Sequence, residues 1–178
     1  MMIRKATIVD AEDIAKVHVD SWKTAYKGIL PDEFLNRLSY EQRTMLWERN
    51  TLEQNVYVAE NAEGKVVGFS IGEKERTEMY DGYEGELNAI YILKAYQRQG
   101  IGKLLIQPVV EELLQKGITT MIVKVIEENP SRVFYESLGA HIVDRLEIKI
   151  AGAFMHEIVY GWSDLKQLQK VAERAYEK

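Results

Sequence analysis

The sequence predicts a mixed α/β (α+β) fold, in which one mixed sheet carries helices on its faces. Two observations predict it. Stretches with apolar residues at helical spacing alternate with short runs rich in Val, Ile, Tyr and Phe, in the order β-α-α-β-β-β-α-β-α-β-β-α. One of those runs, residues 118–126 (ITTMIVKVI), is almost continuously apolar, as a strand covered on both faces must be. Strands interleaved with helices bury their sheet under helices rather than under a second sheet.

Residues 2–8 read as the first strand. Asp10 stands where a helix cap is expected, and Ile14, Val17, Ser21, Trp22, Ala25 and Tyr26 then recur on one helical face. Gly28 ends that helix and Pro31 opens the next. Phe34, Leu35 and Leu38 continue helically, and Ser39 is placed to cap a helix over 41–49. Residues 55–75 read as two strands around an Asn61–Gly64 turn, and residues 76–85 as a polar, mobile connection. A third strand spans 86–93, a helix 100–116 ended by Gly117, and a short helix 129–138 ended by Gly139. Strands near 140–150 and 153–160 follow. The last helix sets Leu165, Leu168, Val171, Ala172 and Ala175 on one face.

Length and composition bound the function. The 178 residues correspond to one domain at about 150 residues each. Within it, 1–54 forms a helical opening, 55–160 the core and 163–178 the terminal helix. A formal charge of −5 argues against a nucleic-acid partner, which needs a basic footprint. The absence of cysteine removes disulfides, thiolate metal sites and a thiol nucleophile, and the three histidines show no metal spacing. Acids at 10, 12 and 13 interrupt any apolar leader, and no run approaches the ~18 apolar residues of a membrane span. A cytoplasmic location, without membrane or metal, is therefore expected.

The chemistry concentrates in residues 90–105 (IYILKAYQRQGIGKLL). A strand runs into a short polar loop that opens a helix. Gly100 and Gly102 bare the backbone where a helix leaves about four amide N–H groups unpaired and partly positive. Gln97, Arg98 and Lys103 add donors and charge, so the segment reads as a phosphate or pyrophosphate site. It is not a Walker A loop, because Leu104 follows Gly102-Lys103 and Gln97 stands where the first glycine belongs. It is not a Rossmann fingerprint, because Leu105 occupies the third glycine position.

The pattern that remains is Q/R-x-x-G-x-G/A, carried by Gln97, Gly100 and Gly102. It resembles the pyrophosphate loop of the GNAT family of acetyl-CoA-dependent N-acetyltransferases. Two flanking segments strengthen the likeness. Upstream, GELNAIYI resembles the family strand that runs beside the pantetheine arm. Downstream, Asn129, Phe134, Tyr135, Glu136, Leu138 and Gly139 fall on the family's second motif. SWKTAYKGILP resembles the opening of many bacterial members, and Pro108, inside the helix after the loop, is a departure that should kink it.

The resemblance implies a central mixed, mostly antiparallel sheet splayed open at the cofactor, with helices on both faces. It also implies acetyl transfer to a primary amine, in a ternary complex, with acetyl-CoA as cosubstrate and no metal. The cofactor contacts it implies are the backbone of Ile90, Tyr91 and Ile92, the loop Gln97, Arg98, Gln99, Gly100, Ile101, Gly102 and Lys103, and then Asn129 and Arg132. The oxyanion donor falls near Ile90–Ile92 and the acid on Tyr135. Glu86, at the start of the central strand, falls where several members place a base. Residues 1–54 become the acceptor-side helices, with Trp22, Tyr26 and Tyr80 as acceptor contacts. The acceptor, a small molecule or peptide amine, stays open. So do a homodimer, a longer acyl chain, and a non-catalytic CoA sensor as the rival reading.

Overall fold

The structure is a computed structural model that describes residues 1–173. Its strands are β1 (Met2–Lys5), β2 (Val56–Glu60), β3 (Val66–Lys74), β4 (Gly85–Ile92), β5 (Met121–Ile126), β6 (His141–Ile150) and β7 (Ala153–Trp162). Its helices are α1 (Ala11–Ala25), α2 (Asp32–Asn36), α3 (Tyr40–Glu53), α4 (Ile101–Gln115), α5 (Arg132–Ser137) and α6 (Leu165–Glu173). The strands form one seven-stranded sheet in the order β1-β2-β3-β4-β5-β7-β6. Only β4 and β5 pair in parallel, so the sheet is mixed and mostly antiparallel.

Helices cover both faces. On one, Ile14, Val17 and Trp47 of α1 and α3 pack on Phe69 and Ile71, while Tyr26, Leu30 and Leu35 pack on Ile126 and Met155. On the other, Ile106, Val109 and Leu113 of α4 pack with Met121, Val123, Ile158 and Tyr160, joined by Tyr135 of α5 and Leu165 and Leu168 of α6. Each of these side chains contributes about 1.5–3 kcal/mol by leaving water.

Several sequence expectations shift in detail. The first strand stops at Lys5, because a tight turn over Ile8–Asp10 follows. Asp10 does not cap α1; its carboxylate accepts from Arg4 at 2.7 and 2.9 Å and from the Thr7 amide at 2.8 Å. Ser39 does cap α3, its Oγ accepting from the Gln42 amide at 3.2 Å. The helix that Pro31 opens is the short α2 over residues 32–36, so the opening holds three helices where the element order counts two. The run 118–126 is strand only from Met121, because the Ile118 amide is taken by the Leu113 carbonyl in the cap of α4. The short helix begins at Arg132, three residues after Asn129, whose Oδ1 accepts from the Ser131 amide at 2.9 Å in a turn before it. Pro108 lies inside an unbroken α4, and the fully buried Ser70 hydroxyl donates to the nearby Leu105 carbonyl at 2.7 Å. The expectation for Ala175 lies outside the described residues.

The connection 76–84 is not a free loop. It crosses the sheet as a strap: Tyr80 donates to Asp144 Oδ2 at 3.2 Å, and the Tyr83 hydroxyl meets His141 Nε2 at 2.7 Å. Gly161 on β7 makes room for it, since a Cβ there would stand 2.6 Å from the Tyr83 ring. The buried Glu75 carboxylate anchors the strap's start by accepting from the amides of Thr77 and Glu78.

Candidate active site

The site grows from one break in the sheet. β4 and β5 pair only at Gly85–Met121 and Glu86–Ile122. Beyond Glu86 the strands part, leaving the backbone edge of β4 that faces β5 without a ladder partner. On its other edge β4 carries a bulge: Ile71 pairs with Ala89 and Gly72 with Leu87, so Asn88 is the extra residue and lies exposed. Ile90, Tyr91 and Ile92 therefore lie on the stretch of β4 whose edge toward β5 is unpaired.

The loop after β4 opens into the mouth of α4. Arg98 has φ +63° and Gly100 φ +83°, both left-handed, which turns successive amides outward. Among the described residues, the amides of Arg98, Gln99, Gly100, Ile101 and Gly102 have no protein acceptor. The Gln97 and Gln99 side chains donate to the carbonyls of Ile92 and Ala95 at 3.0 and 3.1 Å, stiffening the loop from behind. The charged ends of Arg98 and Lys103 have no carboxylate partner among the described residues. The Ile101 side chain is buried under the loop and so contributes backbone only. Gly102 packs on α5, where an added Cβ would stand 2.9 Å from the Phe134 ring. That contact sets the second motif against the first.

Three tyrosine hydroxyls converge at the cleft. Tyr135 is buried; burial pushes its phenol well above the ordinary value, the fields of Tyr91 and Tyr26 push it further, and a hydrogen bond with Ser131 opposes them. It is therefore protonated throughout the neutral range and available as a donor. Burial likewise pushes Tyr91 up, aided by Tyr26 and opposed by the charge of Arg43, while the buried Trp22 Nε1 beside it has no hydrogen-bond partner among the described residues. Tyr26, at the end of α1, is raised by burial, lowered by a hydrogen bond with Asn129, and raised again by the charge of Glu157. Trp22 lies 4.7 Å from the Tyr26 ring, and His18 stacks on Tyr91 at 5.4 Å.

The side of the cleft under α1 and α2 has an acidic floor. The register sets Glu86 (β4), Lys124 (β5), Glu157 (β7) and Asp144 (β6) on the face covered by α1 and α2. Lys124 Nζ lies 3.5 Å from Glu86 Oε1. Glu157 is half-buried, and burial raises its carboxyl above the usual range, with Lys124 pulling it down and Glu86 pushing it up. Tyr80, tied to Asp144, lies in the field of Glu157 as well. Arg132, half-buried at the start of α5, lies in the fields of Glu127 and Tyr160. Among the described residues no cluster of three His, Cys, Asp or Glu could hold a metal ion.

Sequence reasoning missed Glu157 and Lys124. The available signal was alternation on β7: Met155, Glu157 and Val159 share one face, and Met155 and Val159 are buried. A carboxylate between two buried apolar residues of one face stands out.

An open sheet split beside a bared helix mouth defines a protein built to hold a diphosphate-bearing carrier along the split. Comparison with known proteins agrees. The GNAT acetyltransferase family matches residues 19–140. The uncharacterized N-acetyltransferase YuaI of Bacillus subtilis is 42% identical over 172 residues, 97% of this chain and 98% of that one. The chain therefore belongs to the GNAT family of acetyltransferases. The ribosomal protein bS18-alanine N-acetyltransferase of Haemophilus influenzae is 31% identical over 119 residues, covering 63% of this chain and 76% of its own. Among solved structures, yncA of Salmonella typhimurium, determined with its cofactor acetyl-CoA, aligns with a TM-score of 0.69 at 22% identity, covering 93% of this chain and 94% of its own. The PaiA N-acetyltransferase of Thermoplasma acidophilum, in complex with coenzyme A, gives 0.64 at 24% identity over 88% of this chain and 96% of its own.

Proposed function

We propose that the chain is a cytoplasmic N-acetyltransferase that moves the acetyl group of acetyl-CoA directly onto a primary amine, with both substrates bound at once. The observation that carries this reading is the parting of β4 from β5 beyond Glu86, next to five unpartnered amides at Arg98–Gly102. Those amides, with Arg98 and Lys103, fit a pyrophosphate. The free edge of β4 along Ile90–Ile92 fits the amide-bearing arm of CoA, with Asn129 within reach from across the cleft. Arg132 is assigned to the nucleotide phosphates, on sequence position alone.

Acetyl-CoA supplies an activated acyl group whose leaving sulfur is a good thiolate. The protein has to orient the carbonyl on the β4 amides, donate a hydrogen bond to the departing sulfur, and take a proton from the ammonium, whose pKa in water is about 10.4. Tyr135 serves the sulfur. The acidic floor serves the ammonium, and Glu86 is the carboxylate that the sequence assigns to it. The helices of 1–54 form the acceptor's roof through Trp22 and Tyr26, and Tyr80 of the strap closes its side. The acidic floor fits a cationic small molecule or peptide amine and works against nucleic acid. Pairing of two copies is part of the proposal, for which the free outer edge of β6 offers a surface.

Calorimetric titration with CoA, followed by an amine panel read as free thiol release, tests the proposal. Tyr135→Phe should bind CoA as the wild type does and turn over about 100-fold more slowly. A chain that binds no CoA, or binds it without turnover on any amine, is not this enzyme.

A further inference from the structure

We propose that Glu157, rather than Glu86, takes the ammonium proton of the acceptor, and that Glu86 is a positioning residue held in place by Lys124. The inference rests on the acetyltransferase reading above and assigns the proton transfer within it.

Position comes first. Glu157 pairs in register with Ile126, the last residue of β5, and so stands at the open end of the split. Glu86 pairs with Ile122, where the strands are still joined. The Tyr26 hydroxyl lies in the field of Glu157, and the Tyr135 hydroxyl lies in the field of Tyr26. Glu157 is thus the carboxylate coupled to the hydroxyl cluster at the cleft.

Occupancy of the carboxylates points the same way. Glu75 is consumed by three donors of the strap, Asp144 by Tyr80 and the Arg145 amide, Glu127 by Arg145, and Glu86 by Lys124. Glu157 alone in this set accepts no hydrogen bond and makes no ion pair among the described residues. A half-buried carboxylate packed beside Met155 and Ile126 costs stability unless something binds to it. The groups that face it are Lys124 and Glu86 from β5 and β4, Asp144 from β6, Tyr26 from α1 and Tyr80 from the strap. Only Lys124 among them is cationic, and it sits at Glu86. Burial and Glu86 together leave Glu157 more basic than an ordinary glutamate, which suits proton transfer near neutral pH.

The step balances as follows. The acceptor arrives as R–NH3+, and one proton passes to Glu157, freeing the nitrogen lone pair. That pair attacks the thioester carbonyl carbon. The C–N bond forms, the C–S bond breaks, and its electron pair leaves on sulfur. The nitrogen loses a second proton while the sulfur gains one from Tyr135. The second proton restores Tyr135, and Glu157 releases its own to water. The products are the amide, the CoA thiol and one proton.

The test compares wild type, Glu157→Gln, Glu86→Gln and Glu157→Ala, using acetyl-CoA and the fastest of three probe amines, tyramine, spermidine and an alanine-leading peptide. Glu157→Gln should lose about 100-fold in kcat/KM and lose the acidic limb of its pH profile. Glu86→Gln should lower the rate while keeping that limb, and formate should partly restore Glu157→Ala. A Glu157→Gln profile that superimposes on the wild type, or a limb that disappears with Glu86→Gln instead, overturns the proposal. A second arm needs no acceptor: with 13C-labelled glutamate and bound CoA, one carboxyl should titrate above the usual range and vanish in Glu157→Gln. Its absence also overturns the proposal. CoA binding measured on all four proteins separates the two levels, since loss of binding in the wild type sinks the acetyltransferase reading itself.

Discussion

Acidification should unfold this protein earlier than its surface charges suggest, and His18 should be a main cause. Burial pushes its imidazole down to about 4, and the nearby charge of Arg43 adds to the shift. Its Nδ1 accepts from Trp47 Nε1 at 3.1 Å, so the neutral ring carries its proton on Nε2, and protonating Nδ1 would set two donors against each other. The folded ring binds fewer protons than the unfolded one. Stability is therefore full above the unfolded pKa near 6.5 and is lost as pH falls through 6.5 towards about 4. Each pKa unit is worth about 1.4 kcal/mol, so the whole drop amounts to about 3 kcal/mol, of which about 2 kcal/mol is gone by pH 5. The measurement is urea unfolding by tryptophan fluorescence at pH 7.5 and pH 5. The control is His18→Asn, whose side-chain oxygen can still accept from Trp47. Wild type should lose about 2 kcal/mol more than the variant across that interval. Equal losses in the two proteins would refute the assignment, as would an NMR titration of His18 with an ordinary midpoint.

Two further predictions concern the loop and the strap. Gly100→Ala meets nothing within 4 Å at its new Cβ, so its whole cost is the left-handed backbone, about 1–2 kcal/mol. Urea unfolding should show that loss, and calorimetry a weaker grip on CoA; unchanged values in both would mean that the loop relaxes freely. Gly161→Ala drives a methyl into the Tyr83 ring and Val143, both 2.6 Å from it, which as overpacking costs about 1–3 kcal/mol. The strap should yield first, seen as faster proteolytic cleavage within 76–84, and removing the Tyr83 ring as well should recover part of the loss.

Much of the fold was legible because its signals are local. Ser39 caps α3 through an interaction three residues long, and Gly117 ends α4 within its own turn. The glycine loop was legible for the same reason, since the unpaired amides of a helix start depend only on the chain around them. What escaped depends on long-range pairing. Asp10 looks like a cap until β1 delivers Arg4 to its carboxylate. The strap looks like a mobile loop until Asp144 and His141, roughly sixty residues further on in sequence, are brought beneath its tyrosines. Glu157 carries no motif; its meaning comes from a register that pairs it with Ile126, at the far end of the stretch of β5 that has parted from β4. Glu86 was visible because it begins the central strand, yet its ion pair with Lys124 depends on that same register.

The cleft also explains why residues from both layers of the molecule belong to one site. Tyr135 packs in the core beneath α4 and α6, whereas Tyr91, beneath α1 and α3, and Tyr26, which closes α1 and packs on Ile126 and Met155, lie on the opposite face. A continuous sheet would keep its own backbone between those layers, because successive side chains of a strand point to opposite faces. Their hydroxyls nevertheless lie in one another's fields. The place where the two layers are open to each other is the stretch beyond Glu86, where β4 and β5 have parted. An acyl group seated in the gap would touch the donor of one layer at its sulfur and the acidic floor of the other at its incoming nitrogen. On the proposed reading the split does more than admit a ligand: it is the place where the leaving-group donor assigned to Tyr135 and the proton acceptor assigned to Glu157, each held by its own core, face the same carbon from opposite sides.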